Sequence, residues 1–289
     1  MDLLAQRLEA AGYCVGSLAP AGGGVIARAA LVRLSDGSAV FAKTIDPVVD
    51  GLFEVEVSGL RSLRHLGRAA TPDVLHVGAE LLLLSPLQPP PATPQFWDRL
   101  GHMVAELHTS CMGGGFGWHR DGWLGRLAQV NAWESDGYAF FAEHRVLRWL
   151  REPLVQAAFD RDERLALQRL CAALPEIVPY QPAVLTHGDL WCGNVLADAA
   201  GQPMLIDPAV SYMWSEIDLS MFWCSPRPAG SDRFFAAYAD YAPLRDGWRD
   251  RMELLHLREL LSIIAHGDDD WGAAQMVRKL TAPFAVRHP

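Results

Sequence analysis

Apolar residues recur at Phe53, Val57, Leu60, Leu63 and Leu66, the spacing of a helix with one buried face, within the segment FEVEVSGLRSLRHLG. Upstream, residues 2–12 (DLLAQRLEAAG) also carry helical spacing and end on a glycine stop. Between these helices, VIARAALVRL (25–34) and SAVFAKTI (38–45) read as strands flanking the turn signal SDG, which predicts a hairpin with a glycine-rich start, AGGG, at 21–24. After Pro72, two short apolar runs, VLHVG and ELLLLSPL, precede the proline-rich break PPPATP. These changes put a boundary near residue 86. Downstream, helical spacing covers 94–110, 137–150, 160–174, 215–223, 231–241 and 245–266, with a Gly- and Trp-rich loop between the first two. One stretch departs from it: within 183–207, AVLTHGDL, NVLAD and PMLID read as short β segments, with AAGQ as a turn. The expectation is an α+β chain in two parts: residues 1–86, small and β-rich, and residues 87–289, large and mainly helical.

Composition narrows the function classes. A net charge of −9 argues against nucleic acid or an anionic membrane as partner, because such surfaces need clustered cations. The N-terminal residues lack a basic region and a long apolar run, and LLLL at 81–84 is too short to span a bilayer, so a cytoplasmic protein without a membrane segment is expected. The five cysteines show neither CxxC nor Cys/His ligand spacing and read as free thiols. The oligomeric state is not legible. Small molecules or proteins remain as partners.

The polar residues concentrate in VLTHGDLWCGNVL, 184–196. His187, Gly188 and Asp189 are followed by Asn194, five residues after Asp189, and then by Asp207 at the end of an apolar run. Two carboxylates and an amide converging at strand ends are what phosphoryl transfer needs: one carboxylate to orient the attacking hydroxyl and accept its proton, and hard oxygen ligands for Mg²⁺. The spacing from Asp189 to Asn194 equals that of the kinase catalytic loop, and Asp207 stands where kinases place a second, metal-binding Asp. A nucleotide phosphate also needs a cation. Only two of the 25 basic residues are lysines, and one of them, Lys43, ends the second strand of the predicted hairpin. Glu54 and Glu56 open the following helix; one can pair with Lys43, and Glu56 is preferred because it lies one turn before Leu60. Gly22, Gly23 and Gly24 allow a close backbone approach to phosphate, or simply a flexible turn.

The chain resembles the fructosamine kinase (ketosamine-3-kinase) family, within the aminoglycoside-phosphotransferase-like, protein-kinase-like fold. The resemblance rests on HGDLWCGN at 187–194, IDPAVSYMWSEIDLS at 206–220, FEVEVSGLRSL at 53–63 and FGWHRDGWLGRLAQVNAW at 116–133. It implies a two-lobed kinase: an N-lobe that binds ATP and a catalytic, substrate-binding C-lobe. It implies Asp189 as base, Asn194 and Asp207 as Mg²⁺ ligands, Lys43 with Glu56 on the ATP phosphates, and the backbone from Leu84 to Leu87 at the adenine. Trp191, Trp214, Glu216 and Asp121 are the implied substrate contacts; for the tryptophans core filling is the alternative, and for Glu216 a helix-start acid. His187 is expected to brace the loop. Asp218 either caps the next helix or bonds the catalytic-loop backbone from beneath.

The implied reaction is ATP-dependent phosphorylation of the O3 hydroxyl of a ketosamine, a fructosamine or ribulosamine, on a free amine or a glycated protein. The rival readings are an aminoglycoside- or choline-type phosphotransferase and a catalytically silent nucleotide-binding module. Three departures stand out: Cys192 replaces the family's usual Ser, the glycine-rich segment carries no Cys, and the region after 240 matches weakly.

Overall fold

The computed structural model describes residues 2–21 and 27–285, and Gly22, Gly23 and Gly24 lie outside the described residues. Its described residues pack as two units, one built from 1–111, 189–210 and 226–243, the other from 112–188, 211–225 and 244–289. The boundary expected near residue 86 falls inside the first unit.

The first unit is built on a five-stranded antiparallel sheet. Its strands are β1 (Val15–Ala21), β2 (Arg28–Leu34), β3 (Ala39–Thr44), β4 (Val74–Val77) and β5 (Leu81–Leu84), in the order β1-β2-β3-β5-β4. The hairpin read from sequence is β2 and β3, with Leu31 opposite Phe41 and Ala29 opposite Lys43. Its turn is closed by the Asp36 carboxylate, which accepts from the Ser38 amide at 2.9 Å and hydroxyl at 2.6 Å.

Helices cover both faces of this sheet. On one, α1 (Asp2–Ala10) buries Leu4 and Leu8 against Ala30, Val32, Val40, Ala42, Leu81 and Leu83. On the other, α2 (Leu52–His65) buries Phe53, Val57 and Leu60 against Phe41, Ile45, Leu82 and Leu84. This explains the uninterrupted LLLL of β5: alternate leucines serve opposite cores, so a strand covered on both faces shows no polar alternation. Leu66, expected on the α2 stripe, is 48% exposed, because it is the C-cap residue beyond the helix. The strand β1 was not predicted; VGSLAPA has no apolar alternation, and Pro20 is tolerated because β1 is an edge strand.

After the proline-rich break, Pro94 occupies the first turn of α3 (Pro94–Ser110), where its missing N–H costs no hydrogen bond. α3 packs on the helix Arg233–Tyr241, pinned by Arg233 on both oxygens of Asp98 (2.8 and 2.5 Å) and by His108 Nδ1 against the Tyr238 hydroxyl at 3.0 Å.

The second unit is mainly helical. The segment expected as one helix at 137–150 is an α-turn (Gly137–Phe140), a π-turn (Phe141–Val146) and a 3₁₀ turn (Leu147–Arg151) in succession. Helix Arg161–Ala172 starts with a reciprocal cap in which Asp160 accepts from the Glu163 amide and Glu163 from the Asp160 amide. The helix expected at 245–266 is interrupted at His256, whose ψ of −3° separates Trp248–Leu255 from Leu257–His266. Periodicity reports which side is buried, not the torsion of one residue. Helix Ala273–Thr281 and the short strands Gly122–Leu124, Leu127–Gln129 and Ser211–Met213 were not predicted. Among the described residues no helix is long and apolar enough to cross a membrane.

Leu4 is wholly buried between α1 and the sheet, so Leu4→Ala is expected to cost about 2–5 kcal/mol. Urea unfolding checks this; a loss under about 1 kcal/mol would mean that α1 does not contribute to the core.

Candidate active site

In the second unit, strand Val184–Thr186 pairs antiparallel with Ser211–Met213, placing Thr186 opposite Ser211, and leads into His187 and Gly188. Gly188 has φ +80°, which glycine adopts without strain. The Asp218 carboxylate, fully buried in the first turn of helix Glu216–Cys224, accepts the His187 amide at 2.7 Å and the Gly188 amide at 2.8 Å. Of the two roles open to Asp218, the geometry is that of a brace beneath the loop. His187 is itself fully buried.

The chain continues into the first unit at Asp189. The buried Asn194 amide donates from Nδ2 to both the Asp189 carbonyl and Asp189 Oδ2, each at 2.8 Å. Nδ2 is thereby committed, and Oδ1 is left as the acceptor of that side chain. Asn194 is followed by strand Val195–Ala197, paired with Pro203–Leu205, and the Ile206 amide donates to the Asn194 carbonyl at 3.1 Å. Asp207 is therefore the next residue after one bonded to Asn194. Its φ of +54° is unusual for a residue with a side chain, and the proline that follows favours extended backbone. Such strain persists where surrounding structure enforces it, and it collects at functional sites.

Lys43 connects three segments. Its Nζ, on β3, bonds Glu56 Oε1 of α2 at 2.7 Å and Asp207 Oδ1. Glu54 is exposed and Glu56 buried, so Glu56 is the partner. Burial draws Lys43 toward its neutral form, but the adjacent Asp207 and Glu56 carboxylates outweigh it and leave the ammonium raised above its ordinary value. Burial, reinforced by the Asp207 charge, raises Glu56 above the ordinary carboxyl range, and Lys43 pulls it back. Around this triad, Phe41, Val57, Leu84, Leu87 and Ile206 form one apolar cluster, and Gln88 exchanges two 2.8 Å backbone hydrogen bonds with Ala197.

The donor set suits a hard divalent cation. Asn194 offers an amide oxygen, and Asp207, with its side chain 32% exposed, offers the carboxylate oxygen not used by Lys43. Among the described residues no group of three or more His, Cys, Asp or Glu forms a metal cage. Mg²⁺ needs none, because it retains waters and takes phosphate oxygens beside one or two protein ligands.

The remaining candidates fall in distinct settings. The Trp191 indole lies over Gly193, where a β-carbon would collide with the ring, and Trp191 keeps partial exposure. The neighbouring Cys192 thiol is pushed up to about 11 by burial, against the pull of Arg227, so it stays protonated and unreactive at neutral pH. Trp214 is 1% exposed, packed among Phe116, Tyr138 and Phe141, which is the core-filling alternative. Glu216 is also buried, its two oxygens taken by Arg251 Nη2 (2.6 Å) and Nε (2.9 Å). Asp121 is exposed, and its carboxylate accepts the Asn131 amide at 2.8 Å. The 116–133 loop instead brings Trp118 and Trp133 against Tyr212 of strand Ser211–Met213, and Trp133 is 53% exposed.

Sequence reasoning missed Arg251 and Arg145. Arg145 is buried and donates to the Val130 carbonyl (2.7 Å) and Asn131 Oδ1 (2.6 Å), holding the end of that loop. The available signal for Arg251 was a cation on the apolar stripe Trp248, Met252 and Leu255, which calls for a buried acid elsewhere.

Comparison with known proteins places the chain. The family model for fructosamine kinase matches residues 3–281. A chloroplastic protein-ribulosamine 3-kinase of Arabidopsis thaliana is 30% identical over 254 residues, covering 83% of this chain and 74% of the relative. An Enterococcus faecium protein named as a probable ketoamine kinase is 31% identical over 267 residues, covering 89% and 92%. A crystal structure from Thermobifida fusca, provisionally named a fructosamine-3-kinase, superposes with a TM-score of 0.82 at 30% identity, covering 97% of this chain and 98% of the other. An aminoglycoside phosphotransferase superposes with a TM-score of 0.63 over 98% of each chain at 16% identity, a likeness of fold alone. The fold is the α+β, aminoglycoside-phosphotransferase-like one, with an antiparallel sheet in the N-terminal part and helices in the C-terminal part.

The Glu216–Arg251 pair generates a stability prediction. Glu216→Ala leaves the Arg251 guanidinium buried without a carboxylate, and unfolding by denaturant is expected to register a loss of about 3–5 kcal/mol. A change below about 1 kcal/mol would show that the pair is not the anchor between its two helices.

Proposed function

Because the chain belongs to the fructosamine kinase family, we propose that it transfers the γ-phosphoryl group of ATP to the O3 hydroxyl of a ketosamine, a fructosamine or ribulosamine. The product is a ketosamine 3-phosphate whose breakdown frees the amine. One observation carries the nucleotide half of this reading: a buried lysine held between Glu56 and Asp207, with Asp207 next to the residue bonded to Asn194. The names of the ribulosamine and ketoamine kinase relatives support the acceptor.

In this reading Asp189 is the base. Its carboxylate, partly exposed and oriented by Asn194 Nδ2, holds the acceptor hydroxyl toward the γ-phosphorus and takes its proton as the new O–P bond forms and the bond from the γ-phosphorus to the β-phosphate oxygen breaks, releasing ADP. Lys43 neutralises charge on the α- and β-phosphates, and Glu56 fixes its direction. Asn194 Oδ1 and the Asp207 carboxylate would hold Mg²⁺, which would supply charge neutralisation on the transferred group. The Leu84–Leu87 backbone, beside the Phe41, Val57 and Ile206 cluster, receives the adenine. Trp191 supplies an apolar ring face for a sugar or its amine substituent. Use of ATP and the free thiols support a cytoplasmic setting.

The test is ATP consumption with Mg²⁺ and a ribulosamine or fructosamine. Asp189→Ala is expected to lower kcat by about 10²–10⁴-fold with the ATP KM retained, and Lys43→Ala to raise the ATP KM. Tight ATP binding by the wild type without ketosamine turnover would withdraw the acceptor assignment.

A further inference from the structure

Gly59 occupies the middle of α2, where alanine is the better helix former by intrinsic propensity. The surrounding structure accounts for glycine there. A β-carbon at Gly59 would lie 2.8 Å from Pro208 Cγ, 3.5 Å from Pro208 Cβ and 3.6 Å from the Pro208 carbonyl oxygen. The first distance falls about 0.7 Å short of ordinary carbon–carbon contact. Pro208 follows Asp207 directly, and Gly59 lies three residues after Glu56, on the same side of the helix. The bare Cα of Gly59 thus lets α2 and the Asp207–Pro208 segment close on one another with Lys43 bonded to both.

We propose that Gly59 is a positioning residue for phosphoryl transfer from the nucleotide: its missing side chain sets the spacing between Glu56 and Asp207 across which Lys43 reaches. Adding a methyl group there forces either α2 or the Asp207–Pro208 segment outward. Neither can move freely. Glu56 is held to Lys43 at 2.7 Å, and Asp207 already has a left-handed φ of +54°. The displacement therefore appears as a misplaced lysine or metal-ligand carboxylate, and misplacements near 1 Å cost up to about 10²-fold in rate. This inference rests on the assignment of Lys43, Glu56 and Asp207 to the nucleotide.

The experiment compares the full-length wild type with Gly59→Ala, Pro208→Ala and the double variant. Gly59→Ala is expected to lower kcat/KM for ATP at least tenfold while the ketosamine KM stays within twofold. Because Pro208→Ala removes the colliding Cγ, the double variant is expected to return to within threefold of Pro208→Ala alone. General loosening of the fold would instead move both substrates together and would not be relieved by shortening residue 208. ATP parameters within twofold of wild type in Gly59→Ala, or a loss that the double variant fails to relieve, overturn the proposal. Affinity for adenylyl imidodiphosphate with Mg²⁺, measured by calorimetry on the same proteins, gives a readout independent of the acceptor. A wild type that binds this analogue but turns over no ketosamine removes the acceptor assignment, and the analogue affinities still decide: a tenfold weakening with rescue supports the role of Gly59, and unchanged affinity overturns it. If Gly59→Ala does not fold, the double variant decides alone, since analogue affinity like that of Pro208→Ala supports the proposal and failure to fold overturns it.

Discussion

A lysine ammonium held away from water between two carboxylates is the constraint around which the first unit is arranged. Burying an isolated ammonium is so costly that the group would neutralise or the site would open, and Lys43, at 2% exposure, does neither because Glu56 and Asp207 meet it from two sides. Its partners come from a strand-facing helix and from a segment more than 160 residues away in sequence. An ion pair of this kind adds little net stability once desolvation is subtracted. What it adds is geometry: β3, α2 and the 206–208 segment satisfy the charges together only in one arrangement. The apolar residues beside it, Phe41, Val57, Leu84 and Ile206, provide the stability that the polar triad does not.

That arrangement also explains why the sheet needs two cores. Lys43 pairs with Ala29 on one side and Leu82 on the other, so its strand is central and its backbone is fully committed. A central strand with one face in water would leave the lysine hydrated and mobile. With α1 covering the opposite face through Leu4 and Leu8, the sheet stays fixed behind the lysine, and Arg7 ties α1 to the end of β3 through the Ile45 carbonyl at 2.5 Å. The N-terminal helix therefore acts on the site without touching it.

How much of this was legible in the sequence depended on whether a signal was local. The β2–β3 hairpin, α2 and the loop at 187–194 were readable because turn residues, a helical stripe and the Asp189-to-Asn194 spacing each lie within a few residues. The strand β1 and the strand Ser211–Met213 were not, because short segments without alternation become strands only when a neighbour offers its edge. The choice between Glu54 and Glu56 could be argued from helical phase, since Glu56 shares its side of α2 with Gly59 and Leu60. Glu216 could not be resolved from its own neighbourhood: a carboxylate at a helix start looks the same whether it faces a ligand or Arg251, 35 residues away. Trp214 presents the same difficulty, because an aromatic residue beside a catalytic motif carries no mark that distinguishes core from pocket.

The polar residues of the 187–194 loop finally divide by whether their bonds brace the chain or leave the side chain in reach of solvent. His187 and Gly188 give their backbone amides to the buried Asp218, a contact that holds the chain but presents nothing to a ligand. Asn194 gives both protons of its amide to Asp189 and retains its oxygen. Asp189 accepts from Asn194 on Oδ2 and is partly exposed, while Asp207 accepts from Lys43 and remains a third exposed. Structural polar groups in a core are normally satisfied by buried partners, as the 187–188 amides are by Asp218; Asp189 and Asp207 instead keep their carboxylates in reach of water, as a group that must meet a ligand has to.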